Sequence, residues 1–209
     1  MIAMARPPQD PQLRITEILN VAEPLFYSKG YQETSISDIV TNMGVAHGTI
    51  YYYFKSKEEI LEALLERYLL NVVSEVKTKI RTDNITPPCK IQLIIQILIK
   101  SMYRDKRLSF EFLYNDRTIH FLDKFARQGK QVMYPLFLEA IEEGNQKKYF
   151  QTAHPQAAVN LIHALLESLI KALYEKSSKE LLVHQFKLTE ELIEHVLGLK
   201  QGTISIFIK

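Results

Sequence analysis

Apolar residues recur three and four positions apart along most of this chain, which is the periodicity of amphipathic helices. The run of leucines, tyrosine and valines between residues 61 and 76 is one example. Glycine, proline and short polar stretches separate the periodic segments. The pattern therefore predicts an all-α fold of about nine helices, over residues 12–29, 35–43, 46–54, 57–80, 90–103, 107–115, 117–145, 155–176 and 178–199.

Prolines and glycines set the expected ends and bends of these helices. Residues 1–11 contain three prolines and are expected to form a flexible arm. Pro24 and Pro135 fall inside predicted helices, where each should remove a backbone hydrogen bond and bend the helix. Gly144-Asn145 is expected to end the helix over 117–145.

Two segments lie outside the predicted helices. RTDNITPPC at 81–89 is interpreted as a connector, and its Cys89 is expected to be a buried or half-buried thiol at a helix start. As the only cysteine of the chain, it excludes an internal disulfide and is typical of a reducing cytoplasm. The tail over 200–209 contains TISIFIK, which alternates like a strand without a partner strand, so we expect a mobile or docked end.

The segment SISDIVTNMGVAHGTIYYYFKSK, residues 35–57, predicts two short helices joined by a glycine turn. Ser35 is a good N-cap, and Asp38 can complete a capping box with it. Gly44 fits a helix end that needs a positive φ. Ile50 and Phe54 are four apart and mark one buried face, so the three tyrosines between them cannot all be buried. This arrangement matches a helix-turn-helix, whose second helix enters the major groove of DNA.

Residues 12 to about 66 resemble the DNA-binding domain of the TetR family of bacterial transcriptional regulators. The resemblance implies a three-helix helix-turn-helix domain over 12–57, a linking helix over 57–80, and a larger ligand-binding and dimerisation domain over 58–199. It covers about a quarter of the chain, and the larger domain can be matched only in length and helical pattern. The matching residues are Ile18, Ala22, Phe26, Gly30-Tyr31, Thr34-Ser35-Ile36, Ile39, Gly44-Val45, Gly48 to Phe54, and Lys55 to Leu61.

The resemblance also implies a set of DNA contacts. Positions matching phosphate-binding residues carry hydroxyl or ammonium groups, which can donate hydrogen bonds to phosphate. Positions matching those near base edges carry an imidazole, a glycine and two aromatic rings, and rings can contact thymine methyls. The N-terminus of the helix over 35–43 can face a phosphate as well. The expected phosphate contacts are Thr49, Tyr51 and Lys57, the expected groove contacts are His47, Gly48, Tyr52 and Tyr53, and Ser35 and Ser37 open the preceding helix.

Charge adds little to this argument. The chain has 26 basic and 24 acidic residues, a net charge of +2. Residues 1–57 contain five Lys and Arg against five Asp and Glu, so the DNA-binding domain is neutral by count. Residues 44–57 contain two lysines and no acid. We therefore expect few phosphate contacts and a shallower salt dependence of DNA binding than for a strongly basic protein.

Aromatic and methionine side chains cluster in the predicted helices of the larger domain. Together with a few polar groups they predict a pocket for a hydrophobic or amphipathic small molecule, although an ordinary aromatic core has the same composition. His163 and Glu167 share a helix face and could hold a metal only with a third ligand such as His120, so no metal or cofactor is expected. The candidate pocket residues are Met102, Tyr103, Phe110, Tyr114, His120, Phe121, Phe125, Met133, Phe137, His163 and Glu167.

The helices over 155–176 and 178–199 have wide apolar faces. In the family such a pair meets its twin in a four-helix interface, which implies a homodimer through the eighth and ninth predicted helices. One recognition helix reads few base pairs, whereas two helices about 34–36 Å apart read a palindrome. The alternative is that both faces are intramolecular core. The candidate interface residues are Leu161, Leu165, Leu169, Leu173, Leu192 and Val196.

The remaining features exclude several protein classes. The sequence has no run of 18 apolar residues and no apolar N-terminal segment, so we expect neither a membrane span nor a secretory signal. It has no phosphate-binding glycine loop and no nucleophile motif, so we expect no enzyme. The resemblance implies a cytoplasmic repressor that a small molecule releases from a palindromic operator by displacing the helix over 57–80. The alternative function is a ligand-independent, DNA-binding architectural or scaffolding factor of the same fold.

Overall fold

The computed structural model describes residues 10–81, 85–104, 119–175 and 177–206. Over these residues the chain forms two compact units. The first unit contains residues 10–68 and 119–121, and the second contains residues 69–104 and 122–206. The fourth helix contributes to both units.

Every regular element in the described residues is an α-helix, which confirms the predicted all-α fold. The helix predicted over 107–115 lies outside the described residues, and the other eight are present. They are α1 (Pro11–Ser28), α2 (Ile36–Met43), α3 (His47–Tyr53), α4 (Lys57–Ile80), α5 (Pro87–Arg104), α6 (Ile119–Gln146), α7 (Pro155–Tyr174) and α8 (Lys179–Leu197).

The helix α1 begins and continues for local reasons. Asp10 caps it by accepting a hydrogen bond from the backbone of Gln12, and Pro11 occupies the first turn, where no backbone donor is needed. Pro24 is exposed inside the helix, and the helix continues through it to Ser28. The side chains on its other face, Ile18, Leu19, Ala22 and Phe26, are buried and form the base of the first unit.

Most helix boundaries agree with the prediction to within two residues, and two of the differences have a local explanation. Helix α5 begins at Pro87 instead of residue 90, because two prolines fit the first turn of a helix, where their missing N–H groups cost nothing. Both prolines are buried there, whereas Cys89 is exposed, contrary to the expected burial. Helix α6 does not end at Gly144-Asn145 but continues to Gln146, and the chain then turns at Lys148, which has a φ of 61°.

The core of the second unit is built from α4 to α8. Its most deeply buried side chains are aliphatic and aromatic residues with almost no exposed surface. Helix α7 packs against α8 within this unit. The central residues are Val76, Ile91, Ile94, Ile95, Ile99, Phe137, Ile141, Val159, Ile162, Ile193 and Leu197.

The C-terminal segment 203–206 is docked, which decides between the two expectations for the tail. Ile204 and Ile206 are buried at 2% and 0% exposure. Their backbone N–H groups donate to Glu194 Oε1 at 2.7 Å and Glu190 Oε1 at 2.6 Å, both on α8. Ser205 is held from the other side by α5, through Gln92 and Gln96. We call residues 203–206 the C-terminal strap.

The strap fits the two helices because their spacings match. Two residues of extended chain advance about 6.6–6.8 Å, and four residues of helix advance about 6 Å. Glu190 and Glu194 therefore meet alternate N–H groups on one edge of the strap. On the opposite edge, the Ser205 N–H donates to Gln92 Oε1 at 3.0 Å, and its carbonyl accepts from Gln96 Nε2 at 2.8 Å. Helix side chains thus take the place that a partner strand would have.

Candidate nucleic-acid interface

The start of α2 is fixed by the predicted capping box. Ser35 Oγ accepts from the Asp38 N–H at 3.2 Å, and Asp38 Oδ2 accepts from the Ser35 N–H at 2.7 Å. Lys29 donates to the same carboxylate at 2.8 Å. The hydrogen bonds from Lys29, and then those from Ser35, hold the pKa of Asp38 well below its usual range. The Ser35 hydroxyl is thus occupied in capping the helix, whereas the Ser37 side chain is exposed.

Replacing Ser35 by alanine is expected to lower the free energy of unfolding by about 1 kcal/mol, since one helix N–H loses its cap. Asp38 adds a pH dependence. Its pKa is lower in the folded state, so its contribution is complete above the ordinary value of 3.8 and is lost as the pH falls below it. Urea unfolding at several pH values measures both effects. Ser37→Ala, on the same helix turn, is the control and should change little.

The turn between α2 and α3 has the predicted geometry. Gly44 ends α2 with a φ of 62°, a conformation that side chains disfavour. The Val45 N–H donates back to the Val40 carbonyl at 3.3 Å, which closes the turn. Ile50 is fully buried and Phe54 nearly so. These two side chains anchor α3 and determine which of its faces is directed outward.

The outward face of α3 presents rings and small residues. Tyr52 is 80% exposed and Tyr51 53% exposed, and His47 and Gly48 are exposed too. The Tyr52 ring meets the ring of half-buried Tyr53 edge-on, with centroids 4.9 Å apart. Apart from the adjoining backbone of α3, no described atom lies within 4 Å of the place a Cβ would take at Gly48, so packing within the described residues does not require this glycine. Thr49 is half-buried at the side of the same face.

Lys57 is engaged within the chain. Its Nζ donates to the carbonyls of Tyr31 at 2.7 Å and Gln32 at 3.1 Å, and it lies 4.4 Å from the centre of the Tyr31 ring. Burial lowers the pKa of Lys57, and burial followed by the charge of Glu58 raises the pKa of Tyr31. Lys57 thus joins the start of α4 to the turn before α2, a role that its position in sequence did not indicate. Lys55, which follows α3, is exposed and was not among the predicted contacts.

A second connection ties α4 to α1. Arg67 donates to Asn20 Oδ1 and to Glu23 Oε2, each at 2.8 Å. All three residues belong to the first unit, and the arginine is about a quarter exposed. Periodicity places Asn20 and Glu23 on one side of α1. It does not indicate that their partner is Arg67, which lies 47 and 44 positions later in the sequence.

The predicted pocket residues are placed in different environments. The side chains of Met102, Tyr103, Phe110, Tyr114 and His120 lie outside the described part. Phe121 belongs to the first unit and is buried. Phe125, Met133 and Phe137 are buried in the second unit, and His163 is half-buried beside the last of these.

Glu167 does not belong to the predicted pocket. Its side chain is exposed, because it lies on the outer face of α7. His163 instead pairs its Nδ1 with the Val159 carbonyl, 2.9 Å away on the preceding turn. Among the described residues, no group of three or more His, Cys, Asp or Glu is placed to hold a metal ion.

The predicted interface residues on α7 and α8 are mostly accessible. Leu161 is 54% exposed and Leu192 38% exposed, and Leu165, Leu173 and Val196 are half-buried. Leu169 is the correction: it is only 1% exposed, because it faces the core of its own unit. The sequence reasoning missed Leu188, which is 55% exposed one helical turn before Leu192.

None of the helices in the described ranges is long and apolar enough to span a lipid bilayer.

Comparison with known proteins gives a consistent result. The family model described as "Bacterial regulatory proteins, tetR family" matches residues 18–64. The repressor KstR2 of Mycolicibacterium smegmatis is 36% identical over 62 residues, 30% of each chain. The fatty acid metabolism regulator protein of Bacillus subtilis is 33% identical over 79 residues, 38% of this chain and 40% of the relative. The matched segments therefore span less than half the length of these curated relatives.

Solved structures extend the likeness of fold along the chain. SmeT, the repressor of a Stenotrophomonas maltophilia multidrug efflux pump, superposes with a TM-score of 0.66 at 21% identity, covering 96% of this chain and 97% of that one. FadR from Bacillus subtilis in complex with stearoyl-CoA gives 0.63 at 20% identity, covering 87% and 97%. The match over residues 18–64, together with a helix-turn-helix of the expected geometry, identifies this segment as a DNA-binding domain of the tetR family of bacterial regulatory proteins, and the solved structures show the same fold along most of the chain.

Proposed function

We propose that this protein is a transcriptional repressor that binds a palindromic operator as a homodimer and releases it on binding a small hydrophobic or amphipathic molecule. The observation that carries the proposal is the outward face of α3. A buried Ile50 fixes the helix, while Tyr51 and Tyr52 are directed to solvent over about half and four fifths of their surface. Large rings are rarely left exposed together without a partner surface.

The proposed DNA contacts divide by chemistry. Thr49 and Tyr51 donate hydroxyl protons to phosphates at the edge of the groove. His47, Gly48, Tyr52 and Tyr53 lie toward base edges, and the open space at Gly48 lets the DNA approach the backbone. Ser35 and Ser37 bring the N-terminus of α2 to a phosphate. Lys57 would act through its bonds to the turn before α2, and exposed Lys55 takes the direct phosphate contact.

The proposed domain division follows the predicted one. Residues 12–57 bind DNA, α4 links the two parts, and residues 58–199 bind the effector and form the dimer. The accessible leucines of α7 and α8 support the second role, since a symmetric pair of such faces would be buried in a four-helix contact. Two copies are needed for the two recognition helices to read a palindrome.

Ligand control is proposed from the relatives and the buried side chains together. FadR was solved with stearoyl-CoA, an amphipathic molecule with a long apolar acyl chain, and SmeT with the small aromatic molecule triclosan. This chain buries Phe125, Met133 and Phe137 in its second unit, side chains that suit an apolar ligand. The effector can release DNA only if it binds the released state more tightly than the DNA-bound state. Repression is proposed because KstR2 and SmeT are named repressors.

The test is a selection of DNA fragments from the source genome. The wild-type chain should enrich a palindrome, and Thr49→Ala/Tyr51→Ala should lose affinity for it by about a hundredfold, since two hydrogen bonds to charged phosphates disappear. Tyr27→Ala is the matched control, because Tyr27 is a 44% exposed tyrosine on α1 in the same unit. Enrichment of the same palindrome by both variants would refute the assignment of α3 as the recognition helix.

A further inference from the structure

Within the described part of the chain, only one of the two ring nitrogens of His163 forms a hydrogen bond. Its Nδ1 lies 2.9 Å from the Val159 carbonyl, which can only accept a hydrogen bond, so Nδ1 carries the proton. In this tautomer Nε2 has a lone pair and is an acceptor. Nε2 is shut off from solvent, and no group in the described part of the chain donates to it. The chain therefore presents a buried, unused acceptor at a defined position on α7.

Aromatic rings from α6 surround this imidazole. The Tyr134 ring is stacked on it with centroids 6.4 Å apart and planes 12° apart, and the Phe137 ring meets it edge-on at 5.3 Å. Phe137 is fully buried, and Tyr134 is half-buried. Burial lowers the pKa of His163; the hydrogen bond with the Val159 carbonyl, the next largest effect, opposes this shift, and the charge of Lys130 adds to it. The ring is therefore neutral near pH 7.

A buried acceptor without a donor is costly. Leaving such a group unsatisfied costs about 1–3 kcal/mol, and native proteins contain few of them. The rings of Tyr134 and Phe137 do not donate to Nε2. The hydrogen bond from Nδ1 to the Val159 carbonyl fixes the tautomer in which Nε2 needs a donor. A group of this kind is expected where a molecule outside the chain completes the hydrogen bond.

We propose that His163 Nε2 is the polar anchor of the effector site, and that the effector is an apolar molecule with a hydroxyl or N–H donor. This inference rests on the proposed function, since it specifies the chemistry of that effector. A neutral acceptor cannot attract a carboxylate, because both groups offer lone pairs. The site should therefore select phenols, alcohols or amides with an apolar body over fatty acids of the same size. Tyr134 and Phe137 provide flat surfaces that suit an aromatic body.

The test uses three probes that differ in one group, with binding to the full-length protein measured by calorimetry. The probes are para-hexylphenol, which donates a hydrogen bond, para-hexylanisole, which cannot, and para-hexylbenzoate, which is anionic. The wild-type protein should bind the phenol about tenfold more tightly than the anisole. His163→Phe retains an aromatic ring but removes the acceptor, so it should bind phenol and anisole equally.

His184→Phe is the matched control, because His184 is an exposed histidine on α8 and its replacement should leave the tenfold preference intact. Thermal unfolding of both variants establishes that they fold. The inference is overturned if the wild type binds phenol and anisole equally, if the preference survives in His163→Phe, if the benzoate binds most tightly, or if none of the three binds. No DNA is present in this experiment, so a failure here leaves the operator selection as a separate test of the proposed function.

Discussion

Replacing Gly144 by alanine is expected to lower the free energy of unfolding of the second unit by about 3 kcal/mol. A Cβ at this position would lie 2.0 Å from Cδ2 and 2.2 Å from Cε2 of Phe150. Phe150 is 3% exposed, so its ring has no free space into which it could move easily. The Phe150 N–H also donates to the Gly144 carbonyl at 3.1 Å, which holds the ring directly over the glycine.

A second glycine of α6 provides the control for this substitution. A Cβ at Gly129 would meet its nearest atom, in Leu69, at 3.6 Å, which is ordinary van der Waals contact. Gly129→Ala should therefore be neutral or stabilise the protein by up to about 1 kcal/mol, the helix preference for alanine over glycine. Urea unfolding followed by circular dichroism compares the two. Equal effects of the two substitutions would contradict the packing argument.

The turn after Gly144 matters because it joins three helices. Asn145, at the end of α6, donates through Nδ2 to the Thr152 carbonyl at 2.8 Å. The Gln151 N–H donates to the Leu197 carbonyl, at the end of α8, at 3.0 Å. Helix α7 begins three residues after Thr152. A displaced Phe150 would thus disturb the pair α7 and α8, whose accessible leucines form the proposed dimer face.

The helix-turn-helix could be predicted from the sequence because its determinants are local. A cap and its partner are three residues apart at Ser35 and Asp38, and the structure contains both bonds. The conformation at Gly44 depends on that residue alone. The buried face of α3 follows from Ile50 and Phe54, which are four apart. No distant residue has to be identified for any of these conclusions.

Contacts between distant residues could not be predicted in the same way. Lys57 looked like a free cation at a helix start, but its amine pairs with carbonyls 25 and 26 residues earlier. Gly144 was predicted to end a helix. The glycine is in fact required by the ring of Phe150, which lies after the turn and which the helix sequence alone does not identify. Periodicity identifies an apolar face without identifying what covers it. For that reason Leu161 and Leu169 appeared equivalent on α7, although only Leu161 is accessible.

The C-terminal strap has the alternating pattern of a strand but pairs with no strand among the described residues. The pattern predicts two properties of the segment correctly: alternate side chains are buried, and successive N–H groups point to opposite sides. It does not report that the hydrogen-bond partners are side chains. Gln92 and Gln96 on α5, and Glu190 and Glu194 on α8, have the spacing of four that any helix face offers.

Removing the two buried side chains of the strap should have a large effect. Ile204→Ala/Ile206→Ala is expected to lower the free energy of unfolding by about 4 kcal/mol, at about 2 kcal/mol for each isoleucine, the lower end for buried isoleucines because a terminal segment can relax. Ser205→Ala is the matched control within the strap. The Ser205 side chain is exposed, and the hydrogen bonds to Gln92 and Gln96 use the Ser205 backbone. The free energy of unfolding of this variant should therefore equal that of the wild type.

The same pair of variants tests whether the strap supports the proposed dimer. Glu194 is buried at 3% exposure and accepts from Gly202 and, within the strap, from Ile204, so undocking of the strap would remove the Ile204 donor from a buried carboxylate on α8. Leu192 and Val196 lie on the same helix within two residues of it. We therefore expect Ile204→Ala/Ile206→Ala to raise the dimer dissociation constant in sedimentation equilibrium, and Ser205→Ala to leave it unchanged. A variant with lower stability but unchanged dimer affinity would mean that the strap stabilises the unit without positioning α8.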